Sequence, residues 1–413
     1  MHFVFVLAVL SPIIATFTAG RTSEDEEFCL HRVSYGEAKF SGKLIQEVAK
    51  KDGKNLIISP LSTFLVLALA SFAGRGRTES VLRTALGLPS CKECKKYGLQ
   101  ALVEDFKSYE AMQLSVANVA FISNDFRLTS EFFNTSVNVF NSRVQQPWFS
   151  NPPADVSFVI KIWCQSKTAN HVNSVIHPAD LNNNTNLVLV NAVYYNAKWQ
   201  IPFDTNNTIA HTFYREGTTE ISLQTMVAKR VVYFGEYSEA NSAFIELPIL
   251  SKDATHNMSM FVILPNDRNG LAFLEANFHK INLGLLRSKA KTVETNIRLP
   301  KFRITNEIEL SQPLTQMNMG ELFDPNRADF AKMCANPSGA PFSRNPRIFV
   351  DKIAQGAFIE INEEGGKAST AAGVIPMMTG TRDFFADHPF YAIIATTGNN
   401  PVNVFTTRFT GHD

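Results

Sequence analysis

Three places in the chain carry residues whose types could do chemistry, and spacing argues against two of them. Cys91-Lys-Glu-Cys94 has the form of half a zinc site or of a redox pair. A zinc site of that kind needs a second ligand pair at similar spacing, a redox pair follows a strand, and neither feature is present. A local loop pairing or plain packing is therefore the expected role. Gly366-Lys367 imitates a phosphate-binding loop, which needs a glycine five positions earlier, where Ile361 stands, and Ser or Thr after the lysine, where Ala368 stands. No Gly-x-Ser-x-Gly elbow, His-Glu-x-x-His pair or Gly-x-Gly-x-x-Gly fingerprint occurs, and the nine histidines are scattered. The sequence argues against an enzyme, and no catalytic residue, metal or cofactor is expected.

The third place is the stretch from Phe358 to Phe385. It begins as a strand, Phe358-Ile359-Glu360-Ile361, and passes into Glu363-Glu364-Gly365-Gly366-Lys367-Ala368-Ser369-Thr370-Ala371-Ala372-Gly373. Val374-Ile375-Pro376-Met377-Met378 follows, then a polar turn over Thr379–Asp383, and an apolar strand resumes at Phe390. A loop that long inside a compact domain is normally functional or disordered.

The elements around this loop must be sought in a chain of 413 residues that is 45% hydrophobic, 19% charged and carries a net charge of +1. There is ample material for a large core. So even a balance gives no electrostatic reason to expect nucleic acid or a membrane as partner. Residues 1–20, apolar from Phe3 through Ile14 and ending in small residues, read as a signal peptide, and no later stretch is apolar enough to span a bilayer. Sequons at Asn134, Asn183, Asn206 and Asn257 fit a secreted, extracellular glycoprotein, whereas Pro337 excludes Asn336. The five cysteines are too few to build a disulfide scaffold, and their odd number leaves at least one unpaired or intermolecular.

No repeat or low-complexity linker divides the chain. Ser62–Ala73, after Ser59-Pro60, has the form of a buried helix with a proline-marked start, and Thr78–Leu88 keeps helical spacing. Leu187–Tyr195, Ala243–Leu250, Met258–Leu264 and Thr295–Ile304 read as strands, rich in branched and aromatic residues. Helices early and strands late argue for an α+β fold around large, mostly antiparallel sheets, built as one unit.

Several stretches agree, in order and spacing, with one family. They are Asn55-Leu-Ile-Ile-Ser59-Pro60-Leu-Ser62, Leu189-Val190-Asn191, Tyr194-Tyr195-Asn-Ala-Lys198-Trp199 with Pro202-Phe203, Leu299-Pro300-Lys301-Phe302, Phe358–Gly365 and Asp387-His388-Pro389-Phe390. From about Val33 to Phe409 the chain resembles the serpins. The resemblance implies three β-sheets, about nine helices and a metastable native state. One domain would span 21–413, with a reactive-centre loop over about 363–388. It further implies a monomer that inhibits a protease: the protease cuts the loop, which enters the central sheet as a new strand and drags the acyl-enzyme along. Ser59, Ser62, Asn191, Trp199 and Gln355 match the family's shutter and breach, and Glu363 to Ala372 its hinge.

A strand entering a sheet buries alternate side chains, so those must be small. Gly366, Ala368, Thr370, Ala372 and Val374 form that set, while Lys367 and Ser369 fall on the wet side. Gly365-Gly366 supplies backbone freedom for the swing. Four features depart from the family pattern: Gly366 for a threonine, Gln355 for a histidine at the top of the central sheet, Pro376 within the insertable strand, and a longer proline-rich loop at Met333–Arg347. Spacing from Glu363 places the cut after Thr379, spacing back from Pro389 after Met378. Met378-Thr379 is the expected scissile bond, with Thr379-Gly380 second. Methionine suits the apolar primary pocket of chymotrypsin-like or elastase-like serine proteases. A papain-like cysteine protease reading Val374, Ile375 and Met377 is the alternative target, and a non-inhibitory binding protein the alternative role. Lys92, Lys95 and Lys96, amid Glu93, make too weak a patch for a heparin-like glycosaminoglycan.

Overall fold

The computed structural model describes all residues except 1–22, 108, 110–113, 150, 197, 252–256, 336–347, 366–379, 399–400 and 413. The expected signal peptide and most of the reactive-centre loop, Gly366 to Thr379, thus lie outside the described residues. The helices are α1 (Ser23–Ala49), α2 (Pro60–Ala73), α3 (Gly76–Ala85), α4 (Lys92–Lys107), α5 (Ser130–Asn138), α6 (Pro153–Lys167), α7 (Leu271–Ala276), α8 (Leu283–Lys289) and α9 (Ser311–Leu314). In the first half the strands are β1 (Leu56–Ile58), β2 (Leu114–Ile122), β3 (Arg127–Leu128), β4 (Arg143–Gln145) and β5 (Leu187–Tyr195). There follow β6 (Ile209–Arg215), β7 (Thr219–Tyr237), β8 (Ser242–Pro248), β9 (Met258–Pro265), β10 (Lys291–Pro300) and β11 (Phe302–Glu309). The last are β12 (Cys334–Ala335), β13 (Lys352–Ile361), β14 (Thr381–Phe385), β15 (Phe390–Thr396) and β16 (Asn403–Phe409).

Among the described residues these strands form three sheets. The central one has five strands in the order β11-β13-β5-β2-β4. A nine-stranded sheet runs β1-β16-β15-β9-β8-β7-β10-β14, with β6 on β7, and β12 pairs with β3. Three pairings are parallel, β13–β5, β2–β4 and β10–β14, and the others antiparallel.

Helix α2 starts where Ser59 caps it: the Ser59 side chain accepts the Ser62 N–H, and Pro60 occupies the first turn, where no N–H is needed. Its residues are buried on nearly every side, so it sits inside the molecule behind the central sheet. The period-two alternation of β5 divides the two faces. Leu187, Leu189, Val193 and Tyr195 join the large core around α2, whereas Val188, Val190 and Ala192 pack under Val156, Ile160 and Trp163 of α6.

Three sequence expectations are corrected. Thr295–Ile304 is not one strand: β10 ends at Pro300 and β11 begins at Phe302 in a different sheet. The buried set changes parity at the break, from Val293, Thr295, Ile297 and Leu299 on β10 to Phe302, Ile304 and Ile308 on β11. The supposed polar turn over Thr379–Asp383 becomes, from Thr381, the edge strand β14 laid parallel on β10. It was invisible because Thr381, Arg382 and Asp383 are exposed and only Phe384 is buried. Cys94 pairs neither with Cys91 nor in any local loop; it forms a disulfide with Cys29, tying α4 to α1, and Cys91, Cys164 and Cys334 are free thiols.

Candidate functional site

The chain between β13 and β14 is anchored at both ends. Its first root, Asn362–Gly365, runs on from β13 and is gripped by the segment that follows β5. The Trp199 N–H donates to the Glu364 carbonyl at 3.0 Å, the Trp199 indole N–H to the Asn362 carbonyl at 2.7 Å, and the Phe203 N–H to the Glu363 carbonyl at 3.1 Å. The buried Glu363 carboxylate accepts the Thr208 hydroxyl at 2.6 Å and pairs with Lys301 Nζ at 2.9 Å. Burial pushes this carboxyl's pKa up, but the bonds from Thr208 and Lys301 outweigh burial and hold it below the ordinary value. At Gly365 a Cβ would lie 2.6 Å from the Pro202 side chain and 2.7 Å from its backbone, so glycine alone fits.

The second root begins at Gly380, whose φ of +107° suits a residue without Cβ. From there β14 lies on β10, with Thr381 donating to Glu294 at 3.0 Å and the Arg298 guanidinium 4.1 Å over the Phe385 ring. Beyond it the Ala386 N–H donates to the Arg298 carbonyl, and the Tyr214 N–H to the Asp387 carbonyl at 2.7 Å. His388 lies between the Asp387 carboxylate, at 2.7 Å, and the Pro265 carbonyl, at 2.8 Å.

Below the first root runs the seam of the central sheet. β13 and β5 pair directly and in parallel, from Lys352 opposite Val188 to Ile359 opposite Tyr195. Behind the seam stand Asn118, Asn191 and Gln355, side by side on β2, β5 and β13. They face the start of α2. Gln355 accepts the Ser59 N–H at 2.6 Å and donates to the Ser59 carbonyl at 3.0 Å and to Thr63 at 3.2 Å. The Ser62 hydroxyl donates to Asn118 at 2.6 Å, and Asn191 donates to Asn118 and to the Ser62 carbonyl. Gln355 is thus a mid-sheet residue and not at the top of the sheet as expected; the eight-residue pairing places it opposite Asn191, three residues beyond the strand's start at Lys352. In front of the seam the segment after α6 lies flat. His171 stacks on Phe358 of β13, ring centroids 4.0 Å apart, and on Tyr194 of β5 at 5.1 Å, while Phe358 and Tyr194 stack on each other at 5.4 Å. A Cβ on Gly356 would meet Val172 at 2.3 Å, so a glycine there lets the segment lie close.

Ser59, Ser62, Asn191 and Gln355 therefore form one cluster, and Trp199 joins Glu363, Glu364 and Gly365 in another. Lys367, Ala368, Ser369, Thr370, Ala371, Ala372 and Met378 lie outside the described residues. Sequence reasoning missed Asn118, Thr63, His171 and Thr208, and it named Tyr194, Lys301 and Phe358 only as parts of the matching stretches, without a role at the site. An asparagine inside the apolar run Leu114–Ile122 was an available signal for the first; His171 offered none. Asn134, Asn183, Asn206 and Asn257 are all exposed. Lys95 is buried, its ammonium 3.6 Å from Glu79 and over the Phe72 ring, so it adds nothing to a surface patch with Lys92 and Lys96. Among the described residues no group of three His, Cys, Asp or Glu could hold a metal.

The Asn362–Gly365 root thus sits at one end of a directly paired parallel seam. The family model for Serpin (serine protease inhibitor) matches residues 35–409. The chain belongs to the serpin family. Among curated serpin relatives, Antichymotrypsin-2 of Bombyx mori is 30% identical over 371 residues, covering 88% of this chain and 94% of its own. Alaserpin of Manduca sexta is 28% identical over 359 residues, covering 86% and 88%. The crystal structure of Serpin48 from the insect Tenebrio molitor, described as a highly specific serpin, superposes with a TM-score of 0.78 at 25% identity, covering 95% of this chain and 100% of that one. Proteins of this family are protease inhibitors and in general not enzymes, and a protease is the partner that family membership implies.

Proposed function

We propose that this serpin is a secreted, glycosylated, single-domain inhibitor over residues 21–413 that traps a chymotrypsin-like or elastase-like serine protease. The protease nucleophile attacks the carbonyl of Met378, forms the acyl-enzyme and releases Thr379 as the new N-terminus. The freed stretch then turns at Gly365 and enters between β5 and β13. The observation that carries this reading is the parallel β5–β13 seam lying directly below the Glu363–Gly365 root. A strand turning back at Gly365 would run antiparallel to both neighbours. It would replace one parallel ladder by two antiparallel ones, and antiparallel pairing is the more stable per residue. Gly366, Ala368, Thr370, Ala372 and Val374 are small enough for the buried side of that strand.

The Met378-Thr379 bond is favoured over Thr379-Gly380 because Gly380 directly precedes the paired strand β14, and a protease cleft needs slack on both sides of the cut. The same argument disfavours Arg382, whose backbone is in register with Thr295. Pro376 supports a second reading: it can donate no ladder bond, so insertion would stall near its end and the loop would serve as a mere substrate. Mixing the intact chain with a panel of serine and cysteine proteases separates the readings. An SDS-resistant complex formed with cleavage after Met378 is the expected result. Cleavage without a complex would establish the substrate reading, and cathepsin inhibition without a stable band the cysteine-protease one.

A further inference from the structure

The sulfur chemistry at the start of α4 has no part in protease trapping. Cys91 is exposed and stands directly before the first helical residue, Lys92. Its sulfur is folded back over the turn, accepting the Cys94 backbone N–H at 3.4 Å. Cys94, one turn on, is joined to Cys29 of α1 in a disulfide that is almost wholly buried, Cys94 being 9% and Cys29 5% exposed. An external thiol therefore has poor access to this bond, whereas a thiol of the protein's own surface sits beside it. Residues three apart on a helix are neighbours, and a Cys-x-x-Cys pair at a helix start can close on itself.

We propose that Cys91, Cys94 and Cys29 form a thiol–disulfide exchange site, with Cys91 as the exposed entry. The Cys91 thiolate attacks the Cys94 sulfur, the Cys91–Cys94 bond forms as the Cys29–Cys94 bond breaks, and Cys29 leaves as thiolate and takes up the proton that Cys91 gave to solvent. One disulfide is lost and one made, so no oxidant is needed. The exchange moves the disulfide from the buried α1–α4 contact to the surface turn, where a small thiol such as reduced glutathione can attack it. It also unties α1 from α4. These helices are packed too closely for a side chain at Gly98, where a Cβ would lie 2.4 Å from the Cys29 carbonyl oxygen, so the covalent tie reinforces a contact made in any case.

The test uses the full oxidised chain treated with reduced glutathione at pH 8, quenched with N-ethylmaleimide at intervals, digested with trypsin without reduction and mapped by mass spectrometry. Cleavage after Lys92 and Lys95 separates Cys91 from Cys94, so a peptide pair joined through those two residues is diagnostic. The expected result is that this pair appears, with Cys29 alkylated, before both Cys29 and Cys94 are free. In Cys91→Ser the pair should be missing and the Cys29–Cys94 bond should open at least ten-fold more slowly, with an unchanged melting temperature showing that the fold is kept. Opening at the same rate in Cys91→Ser, or a Cys91–Cys94 bond present from the start as the sole pairing, would overturn the proposal.

Discussion

Removing the imidazole that bridges the seam should make the central sheet easier to open. His171 stacks on Phe358 at 4.0 Å with the rings inclined by 26°, and on Tyr194 at 5.1 Å and 21°. Those two rings belong to register partners on β13 and β5, so His171 touches both strands that an incoming strand must part. Each aromatic pair contributes about 0.5–1.5 kcal/mol beyond its buried area, and His171→Ala deletes two of them, about 1–3 kcal/mol in sum. The Phe358–Tyr194 stack itself survives. If the opened sheet at the barrier has lost both contacts, the insertion rate rises roughly five- to 150-fold, at 1.36 kcal/mol for each factor of ten. The assay follows a synthetic peptide with the sequence of residues 366–378 as it anneals into the intact chain, read by the gain in melting temperature. Phe158→Ala on the outer face of α6, where the side chain is 60% exposed, serves as control and should leave the rate unchanged. A rate for His171→Ala within twofold of the unaltered chain would refute the idea that this stack restrains the seam.

Four further outcomes follow from the same geometry. Gln355→Leu leaves the buried Ser59 N–H without its acceptor and should cost about 1–3 kcal/mol of native stability, seen as a lower urea midpoint. Glu363→Gln removes the charge that Lys301 and Thr208 satisfy; because that carboxyl is held below its ordinary 4.5, its contribution is present above that value and fades as acid titrates it. The variant should therefore melt lower than the unaltered chain at pH 7, and the difference should shrink towards pH 3. Glu37 behaves in the opposite sense, since burial raises its pKa to about 8 and favours the neutral acid in the fold. Stability drawn from it declines as pH rises from 4.5 towards 8, so Glu37→Gln should stabilise the chain at pH 7, by about 3 kcal/mol at most, and little at pH 4.5. Arg382→Ala should leave inhibition intact, since Arg382 is held in β14; loss of all inhibition would show that the scissile bond lies elsewhere.

What could be read from residues alone was what neighbours along the chain determine. Ser59-Pro60 announced the start of α2 because a cap and a missing N–H are local effects. Leu187–Tyr195 read as a strand at its observed bounds because its branched and aromatic run is bounded by turn residues. β14 escaped because an exposed edge strand carries no alternation, and Lys301 was read through because the apolar run resumes at once with Phe302, although the buried positions change from odd to even there. The sequence by itself also determined the loop's alternation of small residues and the family to which the chain belongs. Only the tertiary structure decided which distant groups meet: Glu363 with Thr208 and Lys301, Gln355 with Ser59, Cys29 with Cys94, and His171 over the seam. Such meetings depend on strand register and on the close approach that Gly356 and Gly365 permit, and neither leaves a periodic mark on a single chain.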